Sequence, residues 1–221
     1  MKNNLVSLSG FKGSGKDTVA DYLVEHYGFT RLSFADYLKD SCAREFKIPR
    51  HFFDDVTIKE KALITHPVPE GTVTCAEEFL ADIGGKKFWT PRAILIEDGG
   101  SKRKVDPNFF ITKAIDTLDS SKHYVLTDTR FLNEANYLKT QVHTHRPVFA
   151  RVNRPSTVST IEHATESEMT DFQYDYLLKN ETDITCLYEK VDEFAFHLGV
   201  KRYEARSQIT FEHSQATNKS K

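Results

Sequence analysis

Gly10 to Thr18 reads GFKGSGKDT, directly after the short apolar run Asn4–Ser9 (NLVSLS) and at the start of Lys16–Tyr27, which has helical spacing. Val19, Leu23 and Tyr27 fall on one face of that helix, and Gly28 is a stop signal. A strand, a glycine-rich turn and a helix in this order are the setting in which GxxxxGK[ST] becomes a phosphate-binding loop. The glycines Gly10, Gly13 and Gly15 let the backbone turn its N–H groups inward toward phosphate oxygens. The helix that follows adds the positive end of its dipole. Lys16 is placed to reach the β- and γ-phosphates of a nucleoside triphosphate, with Phe11, Lys12 and Ser14 completing the loop. Thr18 offers a hydroxyl to a further phosphate oxygen. Asp17 stands where Ser or Thr is usual, and its carboxylate is a candidate contact for Mg²⁺, directly or through water.

Outward from the loop, Phe29–Phe34 reads as a second strand and Ala35–Phe46 as a second helix. The alternation predicts a parallel sheet with crossover helices. His123–Asp128 (HYVLTD), Val148–Val152 and Asp175–Lys179 are three more strands, with a helix at Glu134–Thr140 and a last one at Cys186–Leu198. Leu187, Val191, Phe194 and Leu198 form an apolar core stripe on that last helix. The fold class is therefore α/β of the P-loop NTPase kind, a five-stranded parallel sheet flanked by helices. Residues 1–211 are expected to form one domain, and the polar stretch 212–221 a disordered tail. Prolines and glycines break the middle third. There Glu77–Ile83 and Pro107–Leu118 read as helices, Pro91 starts another, and Asp98-Gly99-Gly100 reads as a loop. Residues 49–118 are expected to cover or bind the acceptor. The pair Phe88-Trp89 reads as core packing ahead of base stacking.

The chain has 221 residues, 39% hydrophobic and 28% charged, with a formal net charge of −2. No global basic field draws it to nucleic acid. Lys102-Arg103-Lys104 reads as a solvated loop. Cys42, Cys75 and Cys186 lack metal-ligand spacing and read as reduced thiols. The apolar start is too short for a signal peptide or membrane span, so a cytoplasmic protein is expected, that of the host cell if a phage encodes it.

Asp128 closes an apolar strand, where a second acidic group can hold Mg²⁺ or its water shell, or contact the acceptor; the plainer reading is a cap on the strand-end turn. Arg130, two residues on, can fork onto a phosphate.

These blocks resemble the bacteriophage deoxynucleoside monophosphate kinases. LSGFKGSGKDT (Leu8–Thr18) is similar to that family's first strand and loop, including the unusual GKDT ending. SFADYLKD (Ser33–Asp40), YVLTDTRFLNEA (Tyr124–Ala135), RVNRP (Arg151–Pro155), HATESE (His163–Glu168) and DYLLKNETDI (Asp175–Ile184) follow in the family's order. The middle third matches loosely, at Pro91–Leu95 and Asp106–Phe109. The resemblance implies a nucleoside monophosphate kinase-like fold and transfer of the ATP γ-phosphate to a deoxynucleoside monophosphate, with Mg²⁺. It implies that Lys16, Asp128 and Arg130 act in catalysis, and that Gly10–Thr18, Arg151 and Asn180 hold ATP. Lys39, Asp40, Arg92, Arg130, Glu134, Arg154 and Glu166 are implied on the monophosphate side, Asp17 and Asp128 at the metal, and a homodimer as a common assembly. Arg151 and Arg154 are expected to clamp phosphates from a mobile segment. Each has a plainer reading: Lys39 as a solvated helix residue, Arg92 in a surface ion pair, His163 as a satisfied loop histidine, Glu166 as a helix cap. Two other readings stay open: a different small-molecule kinase on the same fold, phosphomevalonate kinase-like, and a nucleotide-binding regulatory protein without turnover.

Overall fold

A computed structural model describes residues 2–155, 169 and 172–203. His163, Glu166 and the stretch 212–221 lie outside the described residues. Five strands form one parallel sheet: β1 (Asn4–Ser9), β2 (Phe29–Leu32), β5 (His123–Leu126), β6 (Arg146–Asn153) and β7 (Tyr176–Lys179), in the order β2-β5-β1-β6-β7. β1 is the axis, pairing Val6 with Val125 on one side and Val148 on the other. All six of its residues are buried, as expected of a strand covered on both faces.

The alternation of β1 divides the core. Val6 and Leu8 point into a layer with helix α1 (Lys16–Tyr27) and the last helix, α6 (Ile184–His197); the predicted stripe Leu187, Val191, Phe194 and Leu198 is buried there. Leu5 points the other way, with Tyr124, Leu126 and Phe149, into a layer with α2 (Phe34–Glu45), α3 (Pro91–Val105), α4 (Phe109–Ile115) and α5 (Leu132–Gln141). Each fully buried large apolar side chain contributes roughly 1.5–3 kcal/mol, so the two layers hold the sheet rigid. All five strands run the same way, so their C-terminal ends share one edge. Ligands of open α/β sheets bind at that edge.

Three expectations for the middle third are corrected. Glu77–Ile83 is not a helix: a short 3₁₀ turn, Glu77–Phe79, leads into the hairpin β3 (Ala81–Ile83) and β4 (Lys86–Phe88). Gly84 and Gly85 both have positive φ, 62° and 80°, which suits a two-residue hairpin turn and stops a helix. Asp98-Gly99-Gly100 is not a loop but part of α3. Gly99 is buried where α3 crosses Leu38 of α2, and a Cβ there would sit 3.1 Å from Leu38. Lys102-Arg103-Lys104 is the last turn of the same helix, not a solvated loop. Lys102 donates to Asp98 at 2.5 Å, and the Arg103 guanidinium lies 4.8 Å from the Phe110 ring. Phe88 is buried and Trp89 packs against the core, as expected. No helix among the described residues is long and apolar enough to cross a membrane.

Candidate active site

The loop Gly10–Gly15 leaves the end of β1 and turns into α1. Gly10 has φ 145°, and a Cβ there would strike the Val152 carbonyl oxygen of β6. A Cβ on Gly15, φ 103°, would sit 2.8 Å from the Asn180 side-chain nitrogen. The glycines are thus required by neighbouring chain as much as by the turn. Asn180, buried at the end of β7, donates from Nδ2 to the Ser14 carbonyl at 2.9 Å and fixes the loop from the far side of the sheet. Lys16 Nζ folds back over the loop, donating to the carbonyls of Gly10 (2.5 Å) and Phe11 (3.0 Å). That posture bridges the cradle where phosphate charge would enter.

Two recesses open on the loop. The smaller, about 390 Å³, is lined by Gly13, Lys16, Thr18, Arg154, Asn180 and Leu187, among others. The larger, about 590 Å³, runs from Gly10–Gly13 and Lys16 across to Asp128, Arg130, Arg92 and Lys59, with Leu95 and Ile96 as apolar wall. Lys16, Asp128, Arg130, Arg92 and Arg151, separated along the chain, therefore meet in one space.

Asp128 follows the end of β5. Its Oδ2 accepts from Ser33 Oγ at 2.8 Å and from the Ala35 amide at 3.1 Å, at the N-terminus of α2. Its Oδ1 is shielded from water and has no hydrogen-bond partner among the described residues. Burial pushes its carboxyl above the usual range, against the hydrogen bonds from Ser33 and Ala35. An unsatisfied buried oxygen on a carboxylate that lines the recess beside the loop is a place for a cation or a donor from a ligand. No three His, Cys, Asp or Glu side chains converge among the described residues. A cation at Asp128 would therefore take its other ligands from phosphate and water, which suits Mg²⁺. Asp17 fits this less well. Its carboxylate is paired with Arg31, which also reaches Asp21 (2.6 Å) and Thr127 (3.2 Å).

The acceptor-side candidates separate. Arg92 lines the larger recess at the start of α3, pairs with Glu60 at 2.7 Å and lies over the Phe79 ring. Arg130 lines it at the β5–α5 turn. Glu134 does not face the recess. It is buried under that turn and accepts from the amides of Arg130 (2.9 Å) and Phe131 (3.2 Å), as a carboxylate does in the first turn of a helix. Burial raises its carboxyl to about 7. The structure brings neither Lys39 nor Asp40 into the recesses: Lys39 donates to Asp54 at 2.9 Å and Asp40 accepts from Arg50 at 2.6 Å, on the outer side of α2. Arg154 lines the smaller recess, beside Asn180, and not the larger one. Arg151 belongs to strand β6 and not to a mobile segment; its guanidinium lies 5.5 Å from the Phe11 ring and donates to the Met169 carbonyl at 3.4 Å.

The motif reading missed Lys59, Ser33 and Arg31. Lys59 sits in the irregular stretch DDVTIKEK, which carries no motif. Ser33 lay within SFADYLKD, and its residue type immediately before a helix was a capping signal.

The sheet order and the loop at the end of its central strand define an α/β fold of the P-loop NTPase type. No family model matches the sequence. Over 190 residues the chain is 27% identical to a protein of Acanthamoeba polyphaga mimivirus described as "Putative deoxynucleotide monophosphate kinase", covering 85% of this chain and 93% of that one. Among solved structures it is similar to dephospho-CoA kinase from Campylobacter jejuni, with TM-score 0.48 and 13% identity over 89% of this chain and 97% of that one. It is also similar to TT1252 from Thermus thermophilus, with TM-score 0.46 and 16% identity over 89% and 98%.

Proposed function

We propose that the chain is an ATP-dependent deoxynucleoside monophosphate kinase. One observation carries the reading: a single recess is lined by the phosphate loop and Lys16 together with Asp128, Arg92 and Arg130. Two anions brought together need cations on both sides, since phosphoryl transfer is chiefly positioning and charge neutralisation. The loop amides and Lys16 hold the triphosphate, and Asn180 and Arg154, which line the adjoining smaller recess, lie on the nucleoside side. Mg²⁺ supplies charge neutralisation on the phosphates, with Asp128 as the carboxylate that fits it. An acceptor phosphate oxygen attacks the γ-phosphorus, the bond to the β-phosphate oxygen breaks, and ADP leaves. Leu95 and Ile96 give the acceptor side an apolar surface, which suits a nucleobase better than a short diphosphate acid. The mimivirus relative supports the same reaction; its source is not a bacteriophage, so the proposal concerns the reaction alone.

The pure protein incubated with ATP, Mg²⁺ and each deoxynucleoside monophosphate in turn should release ADP and the matching diphosphate with at least one of them. Binding of ATP without conversion of any monophosphate sinks the reading.

A further inference from the structure

Lys59 is the least explained cation in the larger recess. Its backbone is fixed at both ends: its N–H donates to the Asp55 carbonyl at 2.9 Å, and its carbonyl accepts from the Arg92 amide at 3.0 Å. The second bond ties Lys59 to the first turn of α3, so Lys59 and Arg92 reach the recess together. Neighbouring cations on this side have carboxylate partners: Lys39 has Asp54, Arg92 has Glu60, and Arg50 has Asp36, Asp40 and Asp54. Among the described residues the Lys59 ammonium makes no hydrogen bond or ion pair.

We propose that Lys59 is an anion-binding residue that, with Arg92 and Arg130, holds the phosphate group of the acceptor, so that the acceptor is recognised as a phosphate monoester dianion. The inference rests on the kinase reading and names the group by which that site takes its substrate. A half-buried ammonium set among other cations is unfavourable without a ligand. A dianionic phosphate monoester, carrying about −1.5 to −2 charges at neutral pH, reverses the balance. A single carboxylate would offset less, and a neutral hydroxyl nothing. The electrostatics agree. Burial lowers the Lys59 ammonium from its ordinary value, and Lys39, Arg92 and Arg130 push the same way, with Asp54 opposing.

The test is kinetics of the full chain as K59M and K59R, with ATP, Mg²⁺ and the best monophosphate. A charge-assisted bond to phosphate predicts that K59M raises the acceptor KM roughly 10- to 100-fold while the ATP KM stays near wild type. K59R should recover most of the loss. The unliganded K59M protein should melt no lower than wild type, because repulsion is removed. An unchanged acceptor KM, a rise in the ATP KM instead, or a lower melting temperature with both constants impaired overturns the assignment. Inorganic phosphate separates this failure from failure of the kinase reading. It should raise the melting temperature of the wild type more than that of K59M, which keeps the loop, Arg92 and Arg130, even where no monophosphate is converted; equal shifts in both overturn the Lys59 site.

Discussion

On one side of the larger recess, Gly10–Lys16 supplies inward amides, two glycines pressed by neighbouring chain and a lysine from one uninterrupted run. On the other side, Lys59, Arg92 and Arg130 come from an irregular turn, a helix start and a strand-end turn. The first wall is held locally, by the Ser14 amide bonded to the Phe11 carbonyl at 3.0 Å and by Asn180 behind it. The second is held by tertiary contacts: the Arg92 amide on the Lys59 carbonyl, and Glu134 under the Arg130 turn. A phosphate cradle made by backbone needs contiguous residues, because successive amides must converge. A cluster of side-chain cations needs only that its stems reach a common point, so its members can come from anywhere in the chain.

The contrast can be broken by substitution. The largest expected effect is Lys16→Ala. Turnover should fall roughly a hundredfold to a thousandfold, the scale of removing one preorganised charge-stabilising donor, with the thermal melt unchanged; ADP release measures it, and unaltered turnover removes Lys16 from its role. Next, Gly10→Ala forces a Cβ against the Val152 carbonyl and should destabilise the fold by about 3 kcal/mol or more, read by urea melts. A variant as stable as wild type would show that the loop can shift away from β6.

Glu134 tests the opposite wall through pH. Its carboxyl is raised from an ordinary value of 4.5 to about 7 in the folded protein. The folded state therefore takes up a proton more readily than the unfolded chain. The resulting stability is fully present below about 4.5 and is lost as pH rises through about 7. Melts at pH 5 and pH 8 should show the wild type losing on the order of 1–3 kcal/mol relative to Glu134→Gln across that window. An equal gap at both values contradicts it. The smallest effect is expected for Arg92→Ala. The acceptor KM should rise about tenfold with the ATP KM unmoved. The lost Glu60 pair, being exposed, should cost about 0–1 kcal/mol of stability.

Much of this arrangement was legible in the chain itself. β1, the loop and α1 carry period, glycine placement and a lysine that admit few alternatives, and α1 runs over the residues expected of it, Lys16–Tyr27, ending at Gly28. β1 and β5 were visible because strands buried on both faces read as continuous apolar runs, whereas β2 and β7, at the sheet edges, are partly exposed and carry a weaker signal. The hairpin at Ala81–Phe88 was not, because three-residue strands carry almost no periodic signal and Glu77–Phe79 imitates a helix start. α3 was cut short at Gly99-Gly100 because glycine signals a break locally, whereas here its missing side chain lets α2 pack close.

Asp128 and Asp17 show the same limit in the site. Both are acidic residues at the edge of a phosphate loop, and from sequence they were equal candidates for the metal. The fold separates them: Arg31 of β2 takes the Asp17 carboxylate, while Ser33 and Ala35 satisfy one oxygen of Asp128 and the other has no hydrogen-bond partner among the described residues. The sequence by itself determined the sheet, the phosphate loop and the place of Lys16, because those depend on neighbours within a few residues. Only the tertiary structure decided that Lys59, Arg92 and Arg130 line one recess with the loop, and that Lys39, Asp40 and Arg154 do not line it, because side-chain charges meet by packing across elements that no local spacing records.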